Sequence, residues 1–170
     1  MASRPADAGG DATIRVVWGT ATGPTGLSSY DAALAAAGVE NYNLVRVSSI
    51  VPDGATVEAV GTAPDLGPAG NRLTVVEARV TVGGEEPGPR GSAGLAWATG
   101  PGPGLFYEVG GAVDEAECRR RLEEGLAAGR ALRDWTFDGG GERIVSVEAP
   151  ETGFGTAVVL GTYGESEPIL

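Results

Sequence analysis

Six positions in this chain carry side chains whose type and setting invite chemistry: Asp31, Asn43, Ser48, Ser49, Glu108 and Cys118. Ser48 and Ser49 sit side by side in NYNLVRVSSIVPDG (41–54), where an apolar run ends just before a Pro-Asp-Gly turn. A second pair, Ser28-Ser29, serves as an internal control, because the helical pattern after it explains those hydroxyls as caps. No helix pattern follows Ser48-Ser49, so they are either small polar residues closing a strand or a reactive pair. Glu108 lies in LFYEVGG among Leu105, Phe106, Tyr107 and Val109. A carboxyl in such apolar surroundings can keep a proton and act as a general acid. The plain alternative is that it points outward from an alternating strand. Asp31 reads as a capping residue and Asn43 as the end of a turn, while Cys118 falls on an apolar helical stripe and reads as core. The pair Gly110-Gly111 ahead of a helix could cradle a phosphate, but no basic residue stands beside it.

Absences narrow the chemistry further. The 170 residues include no His, and all 12 basic residues are Arg. A Ser-His-Asp or Cys-His nucleophile is therefore excluded, as are a lysine aldimine and a phosphate-loop lysine. One Cys and no His cannot assemble an ordinary zinc site, and no metal is assigned. An enzyme built from this sequence must find its electrophile elsewhere. The net charge of −11 speaks against nucleic acid and against an anionic membrane surface. Abundant Asp and Glu with no Lys read as a halophilic surface, solvated and suited to high salt.

The elements that position these residues follow from periodicity. Residues 12–18, 44–51, 57–60, 73–82, 92–99, 105–109, 143–149 and 156–162 read as strands. Within 73–82, Val76, Ala78, Val80 and Val82 share a face. A short helix over 29–37 is expected, with Ser28 as N-cap and Asp31 in capping-box position. A longer one over 114–135 starts at Asp114, with Glu117 completing a capping box and Gly125, Ala128 and Gly129 permitting close approach to a sheet. GGEEPGPRG (83–91) reads as a wide polar turn. Strands outnumber helices without regular crossover helices between them, so the expected class is α+β, a sandwich with helices on its outer faces. One domain over 12–170 follows a flexible tail, residues 1–11, that has no apolar signal-peptide core. No apolar run is long enough for a membrane span, and an unpaired Cys fits a reducing, cytoplasmic setting.

NLVRVSSIVPDG resembles the self-cleavage segment of the pyruvoyl-dependent arginine decarboxylases. SYDAALAAAGV and LFYEVGG match two further segments of that family in the same order, and the helix ending in RDW followed by RIVSVEA fits its C-terminal part. The resemblance runs from about residue 12 to residue 163. It implies a four-layer αββα sandwich with mainly antiparallel sheets, assembled as a homotrimer with sites between subunits. It implies self-cleavage between Ser48 and Ser49, giving a β chain of residues 1–48 and an α chain of residues 49–170. Ser49 would become a covalent pyruvoyl group that forms a Schiff base with arginine and takes up electrons as CO2 leaves, giving agmatine for polyamine synthesis. By the same resemblance Asn43 assists cleavage, Glu108 donates a proton and Asp31 contacts the cationic substrate. Asp53 stands where the family often has Pro, and NRLTVVEARV also departs from its pattern. Two alternatives stay open: the same chemistry on another amino acid, and a processing-dead trimeric relative that serves as a binding or structural module.

Overall fold

The stretch TIRVVW alternates, with Ile14, Val16 and Trp18 on one face and Val17 the apolar residue of the other, which suits a strand. In the computed structural model, which describes residues 12–84 and 90–170, it opens β1 (Thr13–Gly23). Ile14 and Val16 point into one core, and Val17 points into another. The chain continues through α1 (Gly26–Ala37), β2 (Asn43–Arg46), β3 (Ile50–Val51), β4 (Thr56–Gly61), β5 (Arg72–Gly83), β6 (Arg90–Thr99) and β7 (Gly104–Gly111). It ends with α2 (Glu115–Ala131), β8 (Gly139–Glu148) and β9 (Phe154–Tyr163).

Two sheets form, ordered β2-β5-β9-β1-β4 and β3-β7-β6-β8. Two ladders, β1 with β4 and β2 with β5, are parallel, and the other five are antiparallel. Three apolar layers hold the stack together. Leu34, Val75 and Leu160 pack between α1 and the five-stranded sheet; Ile14, Val76, Leu95 and Phe106 pack between the sheets; Leu105, Cys118 and Leu122 pack between the four-stranded sheet and α2. The expected α+β sandwich, helix on sheet on sheet on helix, is the observed one.

Glycine sets the spacing where layers approach most closely. A Cβ at Gly19 would lie 2.3 Å from the Ala33 carbonyl oxygen, and one at Gly110 would lie 2.0 Å from the Arg79 carbonyl oxygen. The first contact seats α1 on β1, and the second brings β7 against β5. Gly110 therefore serves sheet packing and not a phosphate cradle. Gly125 does the same for α2, since a Cβ there would meet the Tyr107 ring at 2.1 Å.

Several local expectations are corrected. The strand expected over 12–18 extends to Gly23, because β9 pairs with it from Ile14 to Gly23. The cap of α1 is Thr25, whose hydroxyl accepts the Ser28 N–H while the Ser28 hydroxyl receives the Thr25 N–H. Ser28 is thus the third helical residue, and Asp31 lies beyond the box on the exposed surface. Ser29 does not cap either; it is buried and hydrogen-bonds Thr156 on β9 at 2.7 Å. Asp114 does cap α2, accepting the Glu117 N–H at 2.8 Å. The Glu117 carboxylate turns instead to Arg120 and Arg121. α2 stops at Ala131, and Trp135 and Phe137 fold back onto its core. The expected tail at 1–11 and the centre of the 83–91 turn lie outside the described residues.

Candidate active site

The strand expected over 44–51 is divided between the two sheets. β2 runs parallel to β5, and Val47 N–H still donates to the Val75 carbonyl at 2.9 Å. β3 belongs to the other sheet, where Ile50 faces Leu105 and Val51 faces Gly104 on β7. Ser48 is the crossing point. Ser49 opens the new ladder, its carbonyl accepting the Phe106 N–H at 2.8 Å. The crossing forces Ser49 to a φ of 60°, making it the one non-glycine residue with positive φ among the described residues. A left-handed backbone at a side-chain-bearing residue costs about 1–3 kcal/mol and persists only where surrounding structure imposes it.

That conformation lays the Ser49 hydroxyl on Glu108. Oγ lies 2.5 Å from Oε1 and 2.7 Å from Oε2, so its single proton is shared between the two carboxylate oxygens. Glu108 has the same strand parity as Phe106, which packs between the sheets, whereas Leu105 and Tyr107 face α2. The outward-facing alternative for Glu108 is thereby set aside: its carboxylate is half-buried and turned to Ser49. Both residue types singled out in the sequence meet at one point. The contact is strong, being charge-assisted and short.

Space is available beside the pair. A cavity of about 320 Å³ opens against Ser48, Ser49 and Ile50, with Leu105, Leu126 and Leu132 among its walls and Arg133 at its rim. Its size falls within the range of small-molecule sites, roughly 300–1,000 Å³. A second cleft, about 510 Å³, runs along Tyr107, Glu108, Arg120 and Arg121. Ser49 lines the first and Glu108 the second, and Tyr107, Gly125 and Ala128 line both.

Asn43 and Asp31 are not brought to Ser49 within one chain. Asn43 is exposed at the start of β2, and its side-chain amide donates to the Gly70 carbonyl at 2.8 Å. Asp31 stands on α1, the outermost layer on the opposite side of the five-stranded sheet from Glu108. Cys118 is fully buried, and burial pushes its thiol up to about 11, which fits a core residue and not a nucleophile.

Two features went unnoticed in the sequence. Glu77 on β5 has a side chain only 1% exposed, yet it receives Arg46 Nε at 2.9 Å, Arg46 Nη2 at 2.6 Å and the Tyr30 hydroxyl at 2.5 Å. The hydrogen bonds that Arg46 donates to Glu77 raise the Arg46 pKa, and burial followed by Glu77 raises that of Tyr30. This cluster ties β2, the strand leading into Ser48, to its neighbour. A glutamate inside the apolar run LTVVEARV was its only sequence signal. The second feature is Tyr163, the last residue of β9, whose hydroxyl donates to the Ile50 carbonyl at 2.7 Å. Its signal is the alternation of β9, which turns Tyr163 inward with Ala157 and Val159.

The site thus consists of a left-handed serine at a crossing between the two sheets, its hydroxyl laid on the carboxylate of Glu108. Residues 13–168 match the model of the family described as pyruvoyl-dependent arginine decarboxylase. A pyruvoyl-dependent arginine decarboxylase of Halobacterium salinarum is 49% identical over 159 residues, covering 92% of this chain and 97% of that one. Namesakes from Methanocaldococcus jannaschii and Thermococcus sibiricus are 30% and 32% identical, over 82% and 68% of this chain and 81% and 72% of theirs. The chain belongs to the pyruvoyl-dependent arginine decarboxylase family.

Proposed function

We propose that this chain cleaves itself between Ser48 and Ser49 and then decarboxylates L-arginine to agmatine and CO2, with Ser49 as the source of a covalent pyruvoyl group. The observation that carries this reading is the Ser49 hydroxyl, held by a left-handed backbone against Glu108. Oγ, oriented by its hydrogen bond to Glu108, attacks the Ser48 carbonyl carbon, and its proton passes to the departing nitrogen. The Ser48–Ser49 C–N bond breaks, and the amide has become an ester. Loss of the Cα proton of residue 49 then expels residue 48 as a carboxylate. The unsaturated residue left behind takes up one water and releases ammonia, leaving a keto group. Relief of the strained φ at Ser49 favours departure from the starting conformation.

The residues present fit that group. The carbonyl oxygen of residue 49 is already held by the Phe106 N–H, and the adjoining cavity offers room for an amino acid. Once formed, the keto group supplies an electron sink for the pair released with CO2. Glu108 delivers a proton to the substrate Cα, and the apolar walls of the cavity, among them Leu105 and Leu126, exclude water from the reacting atoms.

We read the active assembly as a homotrimer of cleaved protomers in the cytoplasm. Asp31 and Asn43 then serve a neighbouring copy's site, Asp31 by pairing with the guanidinium of arginine and Asn43 as an oxyanion donor during cleavage. Their exposure and their separation from Ser49 within one chain support that assignment. The net charge of −11 and the likeness to a Halobacterium salinarum protein support a halophilic enzyme.

Replacing Glu108 by Gln tests the assignment. The amide keeps an acceptor for Ser49, so cleavage continues, while turnover falls by about 10²-fold or more. Unchanged turnover would remove Glu108 from its role. CO2 release measured with arginine, lysine, ornithine and aspartate fixes the substrate, and preference for any amino acid but arginine would favour the same chemistry on another substrate.

A further inference from the structure

The strand that carries Ser49 into the second sheet is two residues long and lies at the sheet's edge. In its register with β7, residues 49 and 51 direct their backbone groups at the neighbouring strand, while Ile50 directs its N–H and C=O away from it. The Ile50 carbonyl is therefore left without a ladder partner, next to the one non-glycine residue of positive φ among the described residues. An edge segment this short has little of its own to hold a left-handed serine in place.

Tyr163 meets that need from the other sheet. Its hydroxyl reaches across the gap to the Ile50 carbonyl at 2.7 Å. Its ring is fixed by Phe106, edge to face at 6.3 Å, and Phe106 is held in turn by Trp97 at 6.4 Å. Phe106 is also the residue whose N–H holds the Ser49 carbonyl. We propose that Tyr163 is a positioning residue for the chemistry at residue 49: by pinning the Ile50 carbonyl it fixes the backbone that keeps Ser49 against Glu108. Two consecutive carbonyls, of residues 49 and 50, are thus held from opposite directions, one by β7 and one by β9.

Burial, with the charge of Glu108 adding to it, raises the Tyr163 pKa well above its ordinary value. The phenol consequently stays protonated and remains a donor across the working pH range. Tyr163 touches neither Ser48 nor Glu108 by any hydrogen bond, so its action runs through Ile50.

This inference rests on the self-cleavage reading above, and its test separates the two. Tyr163→Phe keeps the ring and its packing on Phe106 and removes only the hydroxyl. Freshly synthesised wild-type and variant chains are sampled over time, and the intact chain and its two fragments are quantified by denaturing mass spectrometry. All rates are read well below the melting transition of either protein, which is measured alongside. Loss of one hydrogen bond to a positioned backbone corresponds to about fivefold to tenfold slower cleavage. In the cleaved fraction kcat falls by a similar factor while KM stays at the wild-type value. A tyrosine that merely stabilises the fold would lower the melting temperature and leave the cleavage rate and kcat of folded protein unchanged, and that result overturns the proposal. Wild-type protein that never fragments would instead overturn the self-cleavage reading itself.

Discussion

Replacing Gly110 by Ala asks whether the spacing of the sheets sets the chemistry at Ser49. A Cβ at this position would lie 2.0 Å from the Arg79 carbonyl oxygen and 2.8 Å from its carbon, both backbone atoms of the neighbouring sheet. A carbon and an oxygen in comfortable contact stand roughly 3.3 Å apart or more. β7 must therefore lift from β5 by about 1.3 Å, or β5 must yield by the same amount. Glu108 lies two residues away on the same face of β7. If half of that displacement reaches its carboxylate, the contacts of 2.5 and 2.7 Å with Ser49 stretch to the edge of hydrogen bonding. Overpacking of this kind costs about 1–3 kcal/mol, which lowers the melting temperature of a chain this size by roughly 3–10 °C. Loss of alignment at the reacting atoms slows self-cleavage by about ten- to a hundredfold. The assay is the fraction of intact chain over time, together with thermal melting. Gly102→Ala is the control, because a Cβ there has nothing within 4 Å. Wild-type cleavage and melting in Gly110→Ala would refute the reasoning, since the close approach would then position nothing.

Two further outcomes follow from other parts of the molecule. Asp31→Asn should leave self-cleavage intact and raise KM for arginine about tenfold to a hundredfold, the worth of a charge-assisted pair; steady-state kinetics on fully cleaved enzyme checks it. Glu117 is held to about 2 by hydrogen bonds from Arg120 and Arg121, well below its ordinary 4.5. Because the folded value is the lower one, its stabilisation of α2 is complete above pH 4.5 and disappears as pH falls toward 2. Helical circular dichroism followed through that window should fall less steeply in Glu117→Gln than in the wild type, and high salt should narrow the difference.

The candidate residues were more legible in the sequence than the path of the chain that places Ser49 beside Glu108. Ser48-Ser49 stood out because nothing nearby explained two hydroxyls in an apolar run, and Glu108 because a carboxylate among aromatic and aliphatic neighbours needs a partner. The division of LVRVSSIV between two sheets was not legible. Alternation specifies which face a residue takes, but not which sheet its strand joins, and the left-handed turn at Ser49 is imposed by tertiary contacts. The expected strand stopped at residue 18, short of GTATG, because glycines are loop formers by habit, yet Gly19 lies within β1 and admits α1. The cap of α1 was misplaced because Thr25 and Ser28 both offer a hydroxyl at a helix start, and only the geometry distinguishes donor from acceptor. Arg46 and Glu77 lie 31 residues apart, so no local pattern announces their pairing. Tyr163 required knowing that β9 ends beside β3.

The central claim is that the backbone between residues 48 and 49 breaks to make the reactive group. Denaturing mass spectrometry of purified, unmodified protein tests it most directly. The account predicts two fragments, residues 1–48 and 49–170, with the larger one resistant to N-terminal sequencing and an intact Ser49→Ala chain beside them. A single 17.1 kDa species that nonetheless decarboxylates arginine would contradict it.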